Sequence, residues 1–340
     1  MTRARLITSV LVGLHLLVLL AGFAAPYDPV EQARTLPFAP PSRLHVIDAD
    51  GAFHLRPFVY ALVPDPNNFD AYAEDTTERF PVRMMVAGST YSLLPGIESR
   101  LHLFGVAAPA RISWLGTDGF GRDVLSRLLH GGRISIGAGL LATLCALLAG
   151  VGFGTIAGFF GGRVDAAVMR LADLFMAVPW LYLLFAVRAA LPLHLDTRAT
   201  FLLLVAVLGI VGWARPARLI RGIVLSARER TYVTAARGFG AQAPYLLRRH
   251  ILPQTLGVVL TQAGLLVPQY ILAEVTLSFL GLGVGEPTPS WGAMLGSLQQ
   301  YSVLTSYWWM FTPAVALVAV AISYYALTSM VHERMRLAAN

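Results

Sequence analysis

The sequence predicts an all-α integral membrane protein with six transmembrane helices and a large loop between helices 1 and 2. Three observations support this class. Of the 340 residues, 56% are hydrophobic and 13% are charged, whereas about a quarter of the residues in a soluble domain are charged. Several uncharged runs approach or exceed the roughly 20 residues that a helix needs to cross a bilayer. All basic residues are arginines, and most lie beside these runs, which is typical of segments that fix orientation in a membrane.

The first predicted helix is the uncharged run 6–25, which follows two arginines. Its last residues, Ala24 and Ala25, resemble a signal-peptide cleavage site. The apolar core of a signal peptide is usually about 7–15 residues long, and this run is longer. We therefore expect an uncleaved N-terminal transmembrane helix within residues 1–25.

Residues 26–133 are predicted to form one large extracytoplasmic loop. The segment contains ten arginines and twelve acids and has no long apolar period. Loops longer than about 60 residues are largely exempt from the charge rule for orientation, so its arginines do not conflict with an outside location. Proline and aromatic residues are frequent, which favours short strands and irregular structure. An interfacial helix is expected near residues 122–133.

Five further helices are predicted within residues 134–335, which would form the transmembrane core. Each apolar segment contains at most one acidic residue. The segments are 134–160, 171–187, 199–219, 251–285 and 301–331.

The distribution of arginines predicts the orientation of these helices. Residues 215–249 hold eight arginines and one acid, Glu229, so this segment should face the cytoplasm. With six helices, both termini then lie in the cytoplasm, next to further arginines at each end. The formal net charge of +7 is explained by this orientation, and we expect no nucleic-acid partner.

The sequence patterns of common catalytic sites are absent. A phosphate-binding G-x-x-x-x-G-K-[ST] loop requires a lysine, and the chain has none. It has no H-E-x-x-H or G-x-S-x-G pattern, and its single cysteine, Cys145, excludes an internal disulfide. We expect no catalytic residue, metal site or cofactor, so ATP-driven work would require a separate ATPase.

The predicted cytoplasmic loop, residues 215–250, is the most informative segment. Residues 228–240 read R-E-R-T-Y-V-T-A-A-R-G-F-G, and Pro244 follows. This order predicts a short helix that ends at a glycine turn, and a second helix that leads into the next span. Small side chains at Ala235 and Ala236 would let another protein approach the backbone closely. The alternative is a positively charged loop that only fixes topology.

This loop resembles the EAA loop of binding-protein-dependent importer permeases, whose pattern is E-A-A, three residues, G, nine residues, then I-x-L-P. The residues that match at these spacings are Ala235, Ala236, Gly240, Leu252 and Pro253. Thr234 stands where glutamate is usual, and His250 stands where isoleucine is usual. The resemblance implies that these residues couple the chain to a cytoplasmic ATPase.

Two further segments resemble the dipeptide and oligopeptide branch of this family. One has L-G-T-D at 115–118 and G-R-D-V-L-S-R at 121–127; the other has L-S-F-L-G-L-G at 277–283 and P-S-W-G at 289–292. The resemblance extends over roughly residues 110–335 and the first helix.

The resemblance implies a MetI-like permease core in a bacterial inner membrane, forming half of a pathway for peptides or similar small solutes. The implied partners are a second permease subunit, two cytoplasmic ATPase subunits and an extracytoplasmic solute-binding protein. The solute itself is not implied, because similar permeases serve several kinds of small molecule.

Two acidic residues lie at or near membrane depth, where acids are costly and usually face the bundle interior or a wet cavity. Glu274 either lines the pathway or forms an ion pair or helix cap at the interface. Asp173 lies three residues from Arg170, which favours an ion pair. Trp291 fits an aromatic belt, with contact to the solute or its binding protein as the alternative.

Glycines recur every four residues in the second predicted helix, at Gly150, Gly154, Gly158 and Gly162. In an apolar helix this pattern predicts close packing against another helix rather than a nucleotide-binding loop.

Two other classes of function remain as alternatives. A secondary transporter driven by an ion gradient would be expected to have internal repeats and several buried ionisable residues, and only Glu274 is a good candidate. A membrane-bound enzyme would require a catalytic cluster, which the sequence does not provide.

Overall fold

The computed structural model describes residues 2–65, 68–94, 96–189 and 196–339. Its chain divides into two compact units. The helical unit comprises residues 1–11, 136–274 and 319–340, and the mixed unit comprises residues 12–135 and 275–318. All strands of the described residues lie in the mixed unit.

Helices dominate the described residues outside 26–123. In chain order the α-helices are α1 (Thr2–Leu19), α2 (Ala21–Ala24), α3 (Val124–Phe160), α4 (Gly162–Ala177), α5 (Trp180–Ala189), α6 (Thr197–Gly212), α7 (Ala214–Arg228), α8 (Thr231–Gly238), α9 (Ala243–Leu246), α10 (Leu252–Phe279), α11 (Trp291–Gly296), α12 (Tyr301–Ser306) and α13 (Thr312–Ala339). A π-helical turn, Leu247–Ile251, joins α9 to α10.

Four helical stretches are long and apolar enough to cross a membrane, among the residues that the structure describes. They are Val124–Phe160, Thr197–Arg228, Ala243–Phe279 and Trp308–Glu333. The N-terminal apolar helix, Arg5–Leu19, is shorter. The predicted mostly helical membrane core is confirmed, whereas the number of six spans stays a prediction.

The prediction that residues 171–187 form one continuous helix is wrong, because the helix is interrupted between α4, which ends at Ala177, and α5, which begins at Trp180. Val178 is extended, with φ −86° and ψ 126°, and Pro179 follows it. Proline lacks an amide hydrogen and forces the preceding residue out of the helical region. Neither α4, with 16 residues, nor α5, with 10 residues, reaches the length of a full span.

The glycine repeat of α3 packs against the backbone of α7 within the helical unit. A β-carbon added at Gly154 would lie 2.5 Å from the Ala217 carbonyl oxygen, and one at Gly158 would lie 2.9 Å from the Arg221 carbonyl oxygen. Close packing through small residues is therefore confirmed, and it fixes α7 against α3. At Gly162 no atom lies within 4 Å of such a β-carbon, so the contact ends before that residue.

The mixed unit contains two small antiparallel sheets built from residues 45–105. One has the order β1-β2-β3 and the other pairs β4 with β5. The strands are β1 (His45–Ile47), β2 (Phe53–Asp65), β3 (Asn68–Pro81), β4 (Arg83–Leu94) and β5 (Ile97–Gly105). In the first sheet Val59 pairs with Phe80, and both side chains are buried with Ile112.

These strands differ from the expected short ones, since β2 and β3 have 13 and 14 residues. Most of their side chains are at least partly exposed, so the sequence carries no clean alternation of apolar and polar residues.

Helix α3 begins ten residues before the predicted core. Residues 124–133 are helical, as expected, but they are the first turns of α3 rather than a separate interfacial helix. Asp123 caps this end, because its Oδ2 atom accepts hydrogen bonds from the Ser126 amide and hydroxyl, both at 2.7 Å. Such a cap satisfies amide groups that the first helical turn leaves open.

Candidate functional site

The candidate coupling segment, residues 229–253, is anchored to the helical unit by a small apolar core. Val233 of α8, Leu246 of α9 and Ile251 are buried with Ile220 and Val224 of α7. The inner face of the segment is therefore fixed by α7, and the opposite face is left exposed.

The turn after α8 has the geometry that the sequence predicted. The amide of Ala241 donates to the Ala236 carbonyl at 3.0 Å, and the amide of Gly240 donates to the Arg237 carbonyl at 3.0 Å. This pair of bonds is a Schellman motif, which requires a left-handed residue after the helix. Gly240 supplies it with φ +87°.

Most of the residues that were matched to the EAA loop lie on the surface of this segment. Thr234, Ala235, Gly240 and Pro253 are exposed, and Ala236, His250 and Leu252 are partly buried. The Thr234 hydroxyl donates to the Thr231 carbonyl at 2.9 Å, so the residue that replaces the usual glutamate bonds to its own helix.

Phe239 is a candidate contact residue that the motif did not indicate. Its side chain is 94% exposed and stands directly before the Gly240 turn. Elsewhere in the segment, the His250 ring lies 5.8 Å from Tyr232 and 5.5 Å from Tyr245, measured between ring centroids. The only sequence signal was an aromatic residue at the helix end, which is easily mistaken for a core residue.

The π-helical turn explains how the segment enters α10 through Pro253. Proline removes a donor and crowds the carbonyl four residues earlier, and a π-turn is a local way to accommodate such a disruption. The side-chain amide of Gln254 donates to the His250 carbonyl at 2.8 Å and also bonds the Tyr232 hydroxyl. These bonds hold α8 and the start of α10 together.

The exposed face of the segment is positively charged. Arg228 is engaged, since it donates to the Gly158 and Phe159 carbonyls at 3.0 and 3.2 Å and pairs with Glu229 at 2.9 Å. The arginines of the coupling segment, residues 229–253, are exposed: Arg230, Arg237, Arg248 and Arg249. Such a surface favours an acidic partner.

A charged cluster in the mixed unit unites the two other family-like segments. Arg122 donates to Asp118 at 2.7 Å and to the two Glu286 oxygens at 2.5 and 3.1 Å. Arg127, only 2% exposed, donates to Glu286 at 2.7 Å and to the Pro29 carbonyl at 3.1 Å. These groups border a cavity of about 400 Å³.

The glycines of the first of these segments are required by close contacts. Gly121 has φ +71°, and a β-carbon there would lie 1.9 Å from the Ala33 carbonyl oxygen. Gly116 has φ +66° and would similarly meet the Ala39 carbonyl oxygen at 2.7 Å. The Thr117 hydroxyl donates to the Leu36 carbonyl at 2.6 Å. The segment is thus built to hold residues 33–39 in place.

The remaining sequence candidates lie in separate environments. Glu274 is completely buried in the helical unit. Asp173 forms an ion pair with Arg218 rather than with the nearby Arg170. Trp291 is 2% exposed, and its indole nitrogen donates to the Leu128 carbonyl at 2.9 Å, so the ring acts as a packing residue in this conformation.

No group of three or more histidine, cysteine or acidic side chains that could hold a metal ion occurs among the described residues.

The candidate coupling segment lies within a region that matches a known protein family. Residues 150–337, more than half of the chain, match the family described as "binding-protein-dependent transport system inner membrane component". This range includes the whole candidate coupling segment.

The curated relatives include two permeases from Bacillus subtilis (strain 168). The dipeptide transport system permease protein DppC is 38% identical over 61% of this chain and 62% of its own length. The oligopeptide transport system permease protein OppC is 41% identical over 61% of this chain and 65% of its own length. The chain therefore spans a little less than two thirds of each of these relatives.

Among solved structures, an amino acid ABC transporter with histidines aligns with 61% of this chain and 94% of its own, at 16% identity and a TM-score of 0.45.

Proposed function

The chain belongs to the family of binding-protein-dependent transport system inner membrane components, and from this membership we propose that it is the permease subunit of an ATP-driven importer. It is a multi-pass inner-membrane protein. In the proposed role it forms half of a translocation pathway for peptides or similar small solutes. The names of the two Bacillus relatives, a dipeptide and an oligopeptide permease, support this solute class.

The observation that carries this proposal is the exposed tip of the coupling segment, Phe239 and Gly240. The tip sits on a short helix whose opposite face is buried against α7, so a force on the tip is transmitted to a transmembrane helix rather than absorbed by a loose loop. Thr234, Ala235, Ala236, His250, Leu252 and Pro253 surround it as the rest of the docking surface. The exposed arginines suit an ATPase surface that carries acidic residues.

The proposed assembly contains a second permease, two cytoplasmic ATPase subunits and an extracytoplasmic solute-binding protein. ATP-driven closure of the two ATPase subunits moves both coupling segments and switches the pathway between inward-facing and outward-facing states. This chain makes and breaks no covalent bond in that cycle.

The proposed topology has six transmembrane helices and both termini in the cytoplasm. An N-terminal helix within residues 1–25 precedes the extracytoplasmic region 26–133, and five spans within residues 134–335 form the core, one of them interrupted at Pro179 between α4 and α5. The coupling loop, residues 215–250, faces the cytoplasm. Glu274, a buried acid, and Trp291, a buried packing residue, are each proposed to lie along the pathway.

The alternative of an ion-gradient-driven secondary transporter has no specific observation in its favour, and the family match favours an importer permease.

The test is reconstitution in liposomes of the chain alone and of the chain with its partner subunits. We expect ATP-dependent uptake of labelled peptides only with the complete set, and no ATP hydrolysis by the chain alone. Hydrolysis in a preparation free of partners, or uptake driven by a proton gradient without ATP, would contradict the proposal.

A further inference from the structure

A second cavity lies within the helical unit and belongs to neither the coupling segment nor the charged cluster. Its volume is about 230 Å³. The apolar part of its wall comes from the end of α4, the break that follows it, α6 and α10, and includes Phe175, Pro179, Leu208 and Leu266. A space of this size holds one small apolar group together with one polar group, and it is below the roughly 300–1,000 Å³ of sites for larger ligands.

Three polar side chains interrupt this apolar wall: Arg215, Gln269 and Tyr270. No acidic residue lines the cavity among the described residues. Each of the three side chains carries an N–H or O–H donor, and Arg215 adds a permanent positive charge. The polar part of the wall therefore suits a hydrogen-bond acceptor with negative charge.

The Tyr270 hydroxyl independently indicates that the cavity binds a ligand. The residue is 5% exposed, and its hydroxyl has no hydrogen-bond partner among the described residues. A buried hydroxyl without a partner is costly, and native proteins rarely leave one so. An occupant with an acceptor atom would remove that cost.

Gly212 gives the hydroxyl its position. A β-carbon added at Gly212 would lie 1.6 Å from the Tyr270 hydroxyl oxygen. Any side chain at residue 212 would displace the Tyr270 ring. Because residue 212 is glycine, the Tyr270 hydroxyl can occupy its position at the cavity wall.

Arg215 lies in the first turn of α7, at the start of the predicted cytoplasmic loop, and its side chain is exposed at the edge of the cavity. A guanidinium is also the side chain that matches a carboxylate best, because it presents two parallel donors.

We propose that this cavity binds the carboxylate of a transported small solute, with Arg215, Gln269 and Tyr270 as the donors and the apolar wall against an adjoining side chain. The inference rests on the proposed transport function, and it names the part of this chain that contacts the solute. A lipid phosphate is the competing source of a similar anion.

The single native cysteine allows a direct test. In a Cys145→Ala background, Met176→Cys places a thiol on the cavity wall, and the complete transporter is studied in nanodiscs of phosphatidylcholine. The initial rates of modification by an anionic and by a cationic methanethiosulfonate are compared. We expect the anionic reagent to react about tenfold faster relative to its rate with a free thiol, because the nearby guanidinium of Arg215 attracts it. Arg215→Gln should abolish this preference.

Two variants examine the hydroxyl. Tyr270→Phe removes it, and Gly212→Ala displaces it, so both should weaken protection of the thiol by peptides. Tyr324→Phe, which changes another buried tyrosine of the helical unit outside the cavity, should leave protection unchanged.

The occupant is identified by competition. A tryptic casein digest with free carboxylates should slow modification, and the same digest after methyl esterification should not. Protection by both digests or by neither, or equal rates of the two reagents, would overturn the proposal. Slower modification in phosphatidylglycerol nanodiscs than in phosphatidylcholine nanodiscs, without peptide, would assign the site to lipid and overturn it too.

ATP-dependent peptide uptake is measured with the same complex. If ATP-dependent uptake is intact but the anionic and cationic reagents modify the cavity thiol equally fast, only the carboxylate site is contradicted. Absence of ATP-dependent uptake in the unmodified transporter contradicts the proposed function itself.

Discussion

At Gly240 the left-handed backbone and an open surrounding occur together. No atom lies within 4 Å of a β-carbon built on this residue, so a side chain there would meet solvent or a partner and not this chain. The conformation with φ +87° still disfavours a side chain, by about 1–2 kcal/mol for an L-residue.

We expect Gly240→Asp to leave the protein inserted in the membrane while it uncouples transport. The added negative charge and bulk would stand between the exposed arginines and the ATPase. The measurements are co-purification of the ATPase and peptide uptake, and we expect loss of one or both.

Gly51→Asp is the matched control, because Gly51 has φ +83° and an equally open surrounding, but lies in the turn before β2. It should retain both ATPase binding and uptake. If Gly240→Asp behaves like Gly51→Asp, residues 215–250 only fix topology.

Phe239 provides a second residue-scale prediction. A large aromatic side chain that is 94% exposed fits a contact that becomes buried on assembly, and such anchors commonly contribute 2 kcal/mol or more to binding. We expect Phe239→Ala to weaken ATPase binding by roughly 30-fold or more, measured by titration in detergent. Tyr301→Ala, at another exposed aromatic residue, should have no effect; equal affinities for the two variants would exclude Phe239 as an anchor.

At the residue scale, the conformation of Gly240 could be predicted because a glycine at a helix end has one common geometry. Phe239 could not, because exposure of an aromatic side chain depends on what packs around it. The cluster of Asp118, Arg122, Arg127 and Glu286 was also beyond prediction, since Glu286 lies 159 or more residues along the chain from the arginines that it binds.

At the scale of helices, the contact between α3 and α7 determines how the coupling segment is held. It predicts different outcomes for glycines two residues apart on the same helix. Gly154→Ala would place a β-carbon 2.5 Å from a backbone oxygen, whereas Gly152→Ala would meet no atom within 4 Å.

We therefore expect Gly154→Ala to destabilise the protein by about 1–3 kcal/mol, the usual range for overpacking, and Gly152→Ala to have no such effect. The measurement is the midpoint of thermal unfolding in detergent. Identical midpoints would contradict the close contact. Gly158→Ala is expected to behave like Gly154→Ala.

The cap of α3 predicts a dependence on pH. Burial raises the pKa of Asp123 to about 6, above the value near 3.9 of an unfolded aspartate. The folded state therefore binds this proton more tightly, and the stability it contributes is present below about pH 3.9 and is lost as pH rises through about 6.

We expect Asp123→Asn, which keeps an acceptor for the cap without a charge, to gain stability relative to the unmodified protein as pH rises from 4.5 to 7.5. Asp123→Ala removes the cap as well as the titrating carboxyl, so it should be about 1 kcal/mol less stable than Asp123→Asn at every pH. Parallel unfolding midpoints for the unmodified and Asn proteins across this range would refute the assignment.

The long apolar helices could be predicted because a helix needs roughly 20 apolar residues to cross the lipid bilayer, and such runs are visible in the sequence. The break at Pro179 and the early start of α3 were harder, since they depend on one proline and on a cap formed before the apolar run. The strands of residues 45–105 lacked a periodic signal because few of their side chains are buried.

At the scale of the whole molecule, orientation is the property to be tested. The concentration of arginines within residues 215–249 predicts that a reporter after Arg237 is active only in its cytoplasmic form. A reporter near Asp65 should be active only in its external form. Alkaline phosphatase and green fluorescent protein fusions at both sites make this measurement, and the opposite pattern at either site would refute the proposed topology.

The charged cluster has a consequence for the timing of biosynthesis. Glu286 is added to the chain 159 residues after Arg127, which at about 5–20 residues per second corresponds to roughly 10–30 s of translation. In the folded protein Asp118 lies 2.7 Å from Arg122 and 3.5 Å from Arg127, so one acid stands against two arginines until Glu286 is added. Closure of the cluster is therefore a late step in biosynthesis, and a nascent chain released early carries an unbalanced pair of arginines.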